Sequence, residues 1–196
     1  MSYNKTGVYI HIPFCRNKCD YCNFYSVPAE AEGLIIKSYI ERLKQEIRDL
    51  PDGWFLTDAD TIYFGGGTPS MLSPGDIESI IVSLQNRFSF GEAEITIEMN
   101  PEDFTTDKVR GYVSSGVNRI VLGIQSLNKA LRRTIGRRGN TEVRKILDMF
   151  FLQQGLNRCI DLITGIPGQT YESCLEDLII ISGYRPEHVS LYLLSV

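Results

Sequence analysis

Six short β-rich apolar runs recur along this chain with helix-length stretches between them, and that rhythm leaves few folds open. The runs fall at residues 8–12, 61–64, 95–99, 119–124, 159–164 and 189–194. The intervening stretches repeat apolar residues at three- and four-residue steps. Leu34, Ile36, Tyr39, Ile40, Leu43, Ile47 and Leu50 give one such face, ended by Pro51-Asp52-Gly53. Ser73-Pro74-Gly75-Asp76 opens the next helix, with Ser73 as cap, Pro74 at the first helical position and Asp76 in the first turn. Ile77, Ile80, Ile81 and Leu84 supply its buried face. A helix over 106–115 stops at Gly116, a left-handed terminator, and further helices cover Leu131 to Ile135, 142–154 and 171–182.

Strands separated by crossovers of this length pair in parallel through right-handed βαβ units. Such strands are expected to read as apolar runs buried on both faces. The fold class is therefore α/β, as an open doubly wound sheet or a barrel. A full eight-unit barrel takes ~250 residues. Six units in 196 residues would make an incomplete barrel, open on one side. In either architecture the functional site lies at the carboxyl ends of the strands.

The residues best suited to chemistry fall at that edge. Cys15, Cys19 and Cys22 follow the first strand, Gly65-Gly66-Gly67-Thr68 the second, and Gln125 the fourth; Glu98 ends the third and Asp161 lies in the fifth. Three thiolates in one loop can hold three corners of an iron–sulfur cube. Four-iron clusters normally take four cysteines, so this loop implies a distant fourth ligand or an open iron. A structural zinc site wants four ligands in short pairs, and only Cys19 and Cys22 make one. A thioredoxin-like pair leaves Cys15 unexplained. An odd count of five cysteines speaks against a disulfide framework. The glycine run lets a ligand approach the backbone, but it lacks the Lys-Ser/Thr ending of a phosphate loop. Glu98 and Asp161 either meet a ligand or accept bonds from strand-end amides. His11 either faces the same cavity or packs as a hydrogen-bonded histidine.

Several blocks in order resemble the radical S-adenosylmethionine (SAM) superfamily, and within it the oxygen-independent coproporphyrinogen III oxidase group (HemN and its relative HemW). They are residues 9–15 (Tyr-Ile-His-Ile-Pro-Phe-Cys) with the Cys-x-x-x-Cys-x-x-Cys loop, residues 63–70, 97–101, 116–119, 122–127, 135–137 and 161–170. The resemblance implies a partial six-unit barrel as the radical SAM core over residues 1–196, with the family's C-terminal tetrapyrrole-binding region absent. It implies that Cys15, Cys19 and Cys22 ligate a [4Fe–4S] cluster whose open iron takes the amino nitrogen and carboxylate of SAM. Tyr9 and Tyr21 would pack on or bond to the cofactor; Gly66, Gly67 and Thr68 would hold its methionine part. Arg137 would pair with its carboxylate, and Glu98, Gln125 and Asp161 would touch ribose or methionine groups. No catalytic side chain beyond these is implied. HemN-type oxidases carry a further cysteine two residues after the third, where this chain has Phe24. That departure points to HemW, a haem chaperone of porphyrin metabolism, over the decarboxylating oxidase. The alternatives are that oxidase and a non-catalytic metal- or haem-binding module.

Composition narrows the partners. A formal net charge of −4 argues against nucleic acid as a bulk electrostatic partner. The only local basic run is Arg132-Arg133 with Arg137-Arg138. No run approaches the ~18 apolar residues of a membrane span. Free cysteines and a polar start with no targeting segment fit a cytoplasmic setting. The expected partners are a tetrapyrrole (haem or coproporphyrinogen III) and an electron-donor protein.

Overall fold

The computed structural model describes residues 6–30, 33–51, 58–137, 139 and 141–195. The predicted Asp52-Gly53 turn, Arg138 of the basic run and Val196 lie outside the described residues. Six parallel strands form one sheet: β1 (Gly7–Ile12), β4 (Thr61–Gly66), β5 (Glu94–Met99), β6 (Arg119–Gln125), β7 (Asn157–Thr164) and β8 (His188–Leu193). A separate two-residue ladder joins β2 (Phe14–Cys15) to β3 (Val27–Pro28). The helices are α1 (Leu34–Arg48), α2 (Pro74–Gln85), α3 (Thr106–Ser114), α4 (Lys129–Thr134), α5 (Val143–Phe151) and α6 (Tyr171–Gly183). None is long and apolar enough to cross a membrane.

The spatial order β1-β4-β5-β6-β7-β8 is the chain order. A doubly wound sheet reverses direction at a switch point; this sheet never does. It winds one way, as a barrel wall does. Among the described residues, β1 and β8 are each paired on one side only. The fold is therefore the expected α/β wall of six parallel strands, open between its first and last members.

The strands alternate more cleanly than expected. One face is apolar and packs on the helices: Ile10 and Ile12, Ile62 and Phe64, Ile97, Ile120 and Leu122, Ile160 and Leu162 are buried in one core. The helices answer with Ile36, Ile40 and Ile47 of α1, Ile77, Ile80, Ile81 and Leu84 of α2, Val109 and Tyr112 of α3, and Val143, Leu147 and Phe150 of α5. The other face carries polar side chains that meet one another. The Tyr63 hydroxyl donates to Glu98 at 2.8 Å, Arg119 Nε to the Cys159 sulfur at 3.1 Å, and Tyr9 bonds His11 Nδ1 at 3.1 Å. The period-2 pattern separates a greasy outer face from a polar inner one. Burial extends to both faces where the inner face carries a small or apolar residue, as at Thr96, Val121 and Ile163.

Local signals work as the residue types dictate. The Ser73 hydroxyl accepts from the Asp76 amide while Asp76 accepts from the Ser73 amide, a complete capping box. Gly116 takes φ +101 after α3. Tyr112 is fully buried and donates to the Leu72 carbonyl at 2.6 Å, tying α3 to the loop that enters α2.

Candidate cofactor site at the carboxyl ends of the strands

A cavity of about 510 Å³ opens where β4, β5, β6 and β7 end. Cys15, Cys19, Cys22, Tyr21, Gly66, Gly67, Thr68, Glu98, Gln125, Arg137 and Asp161 all line it. Residues as far apart in sequence as Cys15 and Asp161 thus meet because parallel strands deliver their carboxyl ends, and the loops that follow them, to one edge of the same wall. Tyr9 is the predicted site residue that does not line it. Its hydroxyl bonds His11, its ring stacks on Tyr63 at 6.2 Å between centroids, and it lies further down β1. His11 is packed: Nδ1 meets Tyr9 and Nε2 meets the Tyr25 carbonyl at 3.2 Å.

The cysteine loop is held from three sides. The Val27 amide donates to the Pro13 carbonyl and the Ala29 amide to the Cys15 carbonyl, which fixes the loop's base. Arg16 is ion-paired to Asp103, whose side chain is fully buried and also accepts from the Ser70 hydroxyl at 2.7 Å. On the far side the Asp20 amide donates to the Ile135 carbonyl at 3.2 Å. Gly136 follows with φ +80, and a Cβ there would stand 2.7 Å from the Asp20 nitrogen. The segment 135–137 therefore presses directly on the loop.

The glycine segment is closed against the neighbouring backbone. A Cβ on Gly67 would meet the Phe14 carbonyl oxygen at 2.7 Å and the Ile12 carbonyl oxygen at 2.9 Å. The approach is close because the Gly67 amide donates to Ile12 (2.8 Å) and the Thr68 amide to Phe14 (2.7 Å). Gly66 sits at φ +112 under the His11 ring, 2.5 Å from where a Cβ would be, and its amide donates to Glu98. With all three amides spoken for, this segment offers carbonyl oxygens to a ligand. Those suit an ammonium group rather than a carboxylate.

The charged groups around the cavity are under-partnered. Arg137 donates from one terminal nitrogen to Asn100 Oδ1 (2.7 Å) and from the other to the Tyr21 hydroxyl (3.3 Å), with Glu102 at 3.9 Å. Its Nε is buried with no partner among the described residues, and so is Oδ1 of Asp161. Unmet buried polar atoms are costly, which marks them as places for ligand groups. Burial pushes the Glu98 carboxyl up, against the bonds it accepts from Tyr63 and Gly66. Burial also raises Asp161, against the Ser190 bond and the nearby Arg119 charge. The Cys19 thiol is raised by burial and by the neighbouring Cys22 and Cys15 sulfurs, while Arg137 pulls it down.

Gln125 is the backbone exception. It is a non-glycine residue at φ +65, buried, at a register break between Gly123 and Gln125 in the β6–β7 ladder. Such bulges re-aim a side chain. A Cβ on Gly123 would stand 2.9 Å from Gln125 Nε2 and 3.5 Å from Arg137, so glycine there leaves room for both.

Among the described residues, no three His, Cys, Asp or Glu side chains are gathered tightly enough for a single ion. A cube that takes one ligand per corner asks for a wider triangle of sulfurs. Three thiols, an unpartnered guanidinium Nε and an unpartnered carboxylate oxygen around one cavity fit a cluster with a zwitterionic ligand. Sequence reasoning missed Asn100, Val121, Ile163 and Tyr192 as lining residues. Val121, Ile163 and Tyr192 were findable by parity, since each stands two residues from Gly123, Asp161 and Ser190 on the inner face. Asn100 needed its partners to be seen.

Comparison with known proteins agrees with this geometry. The profile of the Radical SAM superfamily matches residues 9–179. The heme chaperone HemW of Buchnera aphidicola subsp. Acyrthosiphon pisum is 35% identical over 196 residues, covering 97% of this chain and 50% of that protein. HemW of Lactococcus lactis subsp. lactis is 36% identical over 195 residues, covering 98% and 50%. Among solved structures, coproporphyrinogen III oxidase (HemN) from Escherichia coli superposes with a TM-score of 0.86 at 28% identity, over 97% of this chain and 44% of that one. The chain spans about half the length of the curated relatives it matches.

Proposed function

This chain belongs to the radical SAM superfamily, and we propose that its cavity holds a [4Fe–4S] cluster on Cys15, Cys19 and Cys22 with SAM at the iron those three leave open. The observation that carries this reading is the single cavity shared by three thiols, the unpartnered Arg137 Nε and the unpartnered Asp161 Oδ1. Arg137 Nε receives the ligand carboxylate. The carbonyls around Gly66 and Gly67 receive its ammonium. Asp161 and Glu98, both raised by burial, accept hydrogen bonds from ribose hydroxyls or the ammonium. Gln125 is aimed inward by the β6 bulge, and Tyr21 stands beside Arg137. Cluster and cofactor together supply a one-electron cleavage of the sulfonium carbon–sulfur bond; the chain orients the cofactor and limits access of water.

At the level of biology the reading is HemW-like: a radical SAM protein of haem and porphyrin metabolism that handles a tetrapyrrole in the cytoplasm and takes electrons from a donor protein. Residues 1–196 form the core domain. Phe24, 65% exposed at the rim, occupies the place where oxidase-type relatives carry a further cysteine, and it favours the chaperone over the oxidase. The likeness to HemN keeps oxidative decarboxylation of coproporphyrinogen III as the second reading. One experiment separates them. The reconstituted protein is reduced anaerobically with SAM and offered haem or coproporphyrinogen III. Haem bound without carbon dioxide release is the expected outcome. Stoichiometric carbon dioxide with coproporphyrinogen would favour the oxidase.

A further inference from the structure

Thr68 is in an unusual position for a residue expected to touch the cofactor, because every polar group it carries is already engaged. Its amide donates to the Phe14 carbonyl at 2.7 Å, and its carbonyl accepts from the Met71 amide at 3.0 Å. Its hydroxyl oxygen accepts from Asn100 Nδ2 at 3.2 Å. The hydroxyl's single proton is directed at the Cys15 sulfur, 3.4 Å away. Asn100 in turn accepts from Arg137 through its Oδ1 at 2.7 Å, and its amide is pinned by the Ser70 hydroxyl at 3.1 Å. Thr68 is 5% exposed, so water does not compete for that proton.

We propose that Arg137, Asn100 and Thr68 form a directed hydrogen-bond chain ending on the Cys15 sulfur, and that Thr68 is a positioning residue that sets the potential of the cluster. The inference rests on the reading that Cys15 ligates a cluster. Its physical basis is sign and alignment. Each donor in the chain points the same way, from a guanidinium to a sulfur, so each bond polarises the next. A ligand thiolate is a better acceptor than the thiol, and a hydroxyl donating to it is charge-assisted. Hydrogen bonds to cluster sulfurs favour the more electron-rich state and so raise the reduction potential. The Arg137 charge at the far end acts in the same sense. The group expected to receive the cofactor carboxylate is therefore wired to one of the three iron ligands.

The test is the midpoint potential of the cluster, followed by EPR through an anaerobic redox titration. The unaltered protein, Thr68→Val, Thr68→Ser and Asn100→Ala are reconstituted side by side and their iron counted. Valine keeps the shape and removes the donor. The expected result is a negative shift in Thr68→Val, so that at a fixed applied potential the reduced-to-oxidised ratio falls several-fold. Thr68→Ser returns the potential to that of the unaltered protein, and Asn100→Ala shifts it in the same direction by less. A fully loaded Thr68→Val with an unchanged potential overturns the inference and leaves the cluster reading intact. So does a Thr68→Ser that shifts as far as valine, because packing rather than the hydroxyl would then set the value. If Thr68→Val takes up no iron, an unchanged potential in Asn100→Ala overturns it. An unaltered protein that takes up no cluster removes the parent reading first.

Discussion

Replacing Gly67 by alanine tests how the cysteine loop is hung on the sheet. The new Cβ would stand 2.7 Å from the Phe14 carbonyl oxygen and 2.9 Å from both the Ile12 carbonyl oxygen and the Phe14 nitrogen. All three are backbone atoms, so no side chain can swing away. The seam must open, and the bonds from the Gly67 amide to Ile12 and from the Thr68 amide to Phe14 stretch with it. Overpacking of this sort costs about 1–3 kcal/mol, and each orphaned buried bond about 1–3 kcal/mol. Partial relief of one by the other leaves a net of about 3 kcal/mol. In a chain of this length each kcal/mol lowers Tm by about 2–4 °C. The Gly67→Ala protein should therefore melt about 6–12 °C below its parent by circular dichroism, with lowered iron uptake because Phe14–Cys15 moves. Gly75→Ala in α2, whose nearest outside atom is 3.9 Å away, is the matched control and should melt at or slightly above the parent. A Gly67→Ala protein that melts with the control would refute the close approach of the two backbones.

Other changes probe the remaining supports. Tyr112→Phe deletes the fully buried hydroxyl that donates to the Leu72 carbonyl and should cost about 1–2 kcal/mol in urea unfolding; no loss would mean that the carbonyl finds another donor. Asp103→Ala removes the buried partner of Arg16 and Ser70 and should cost about 2–4 kcal/mol, with looser cysteine-loop amides in hydrogen exchange. For pH, Glu98 is raised by burial above its usual 4.5, so the folded state holds a proton that the unfolded state has released. Its contribution is present below 4.5 and is lost as pH rises through the folded value. Glu98→Gln should accordingly flatten the fall in Tm of the cluster-free protein as pH rises above 4.5, and an equal slope in both proteins would contradict the assignment.

Much of this architecture was legible because local rules and the global fold agree. The strand runs, the Ser73 cap and the Gly116 stop each follow from residue types acting over a few positions. The gathering of Cys15, Gly66, Glu98, Gln125 and Asp161 was legible too, since parallel strands deliver their carboxyl ends to one edge. What escaped was non-local or too short to leave a period. The β2–β3 ladder has two residues a side and carries no alternation. The Arg16–Asp103 pair spans 87 positions, and nothing at either residue announces the other. The inner polar face was masked in the sequence because Val121, Cys159 and Ile163 kept the runs apolar in appearance. Tyr9 was placed by resemblance, yet its position on β1 leaves it stacked on Tyr63 below the cavity. The glycines were expected to meet a ligand through their backbone, and the accounting of amides narrows that to carbonyl oxygens.

The central claim is that Cys15, Cys19 and Cys22 hold a cluster with one iron free for SAM. EPR of the anaerobically reconstituted, reduced protein, recorded with and without SAM, tests it most directly. The account predicts ~four irons per chain and a reduced-cluster signal whose shape changes when SAM is added. That change should be lost when Arg137 is replaced by glutamine and the cluster is retained. A protein that binds no cluster, or a signal indifferent to SAM at saturating concentration, would contradict it.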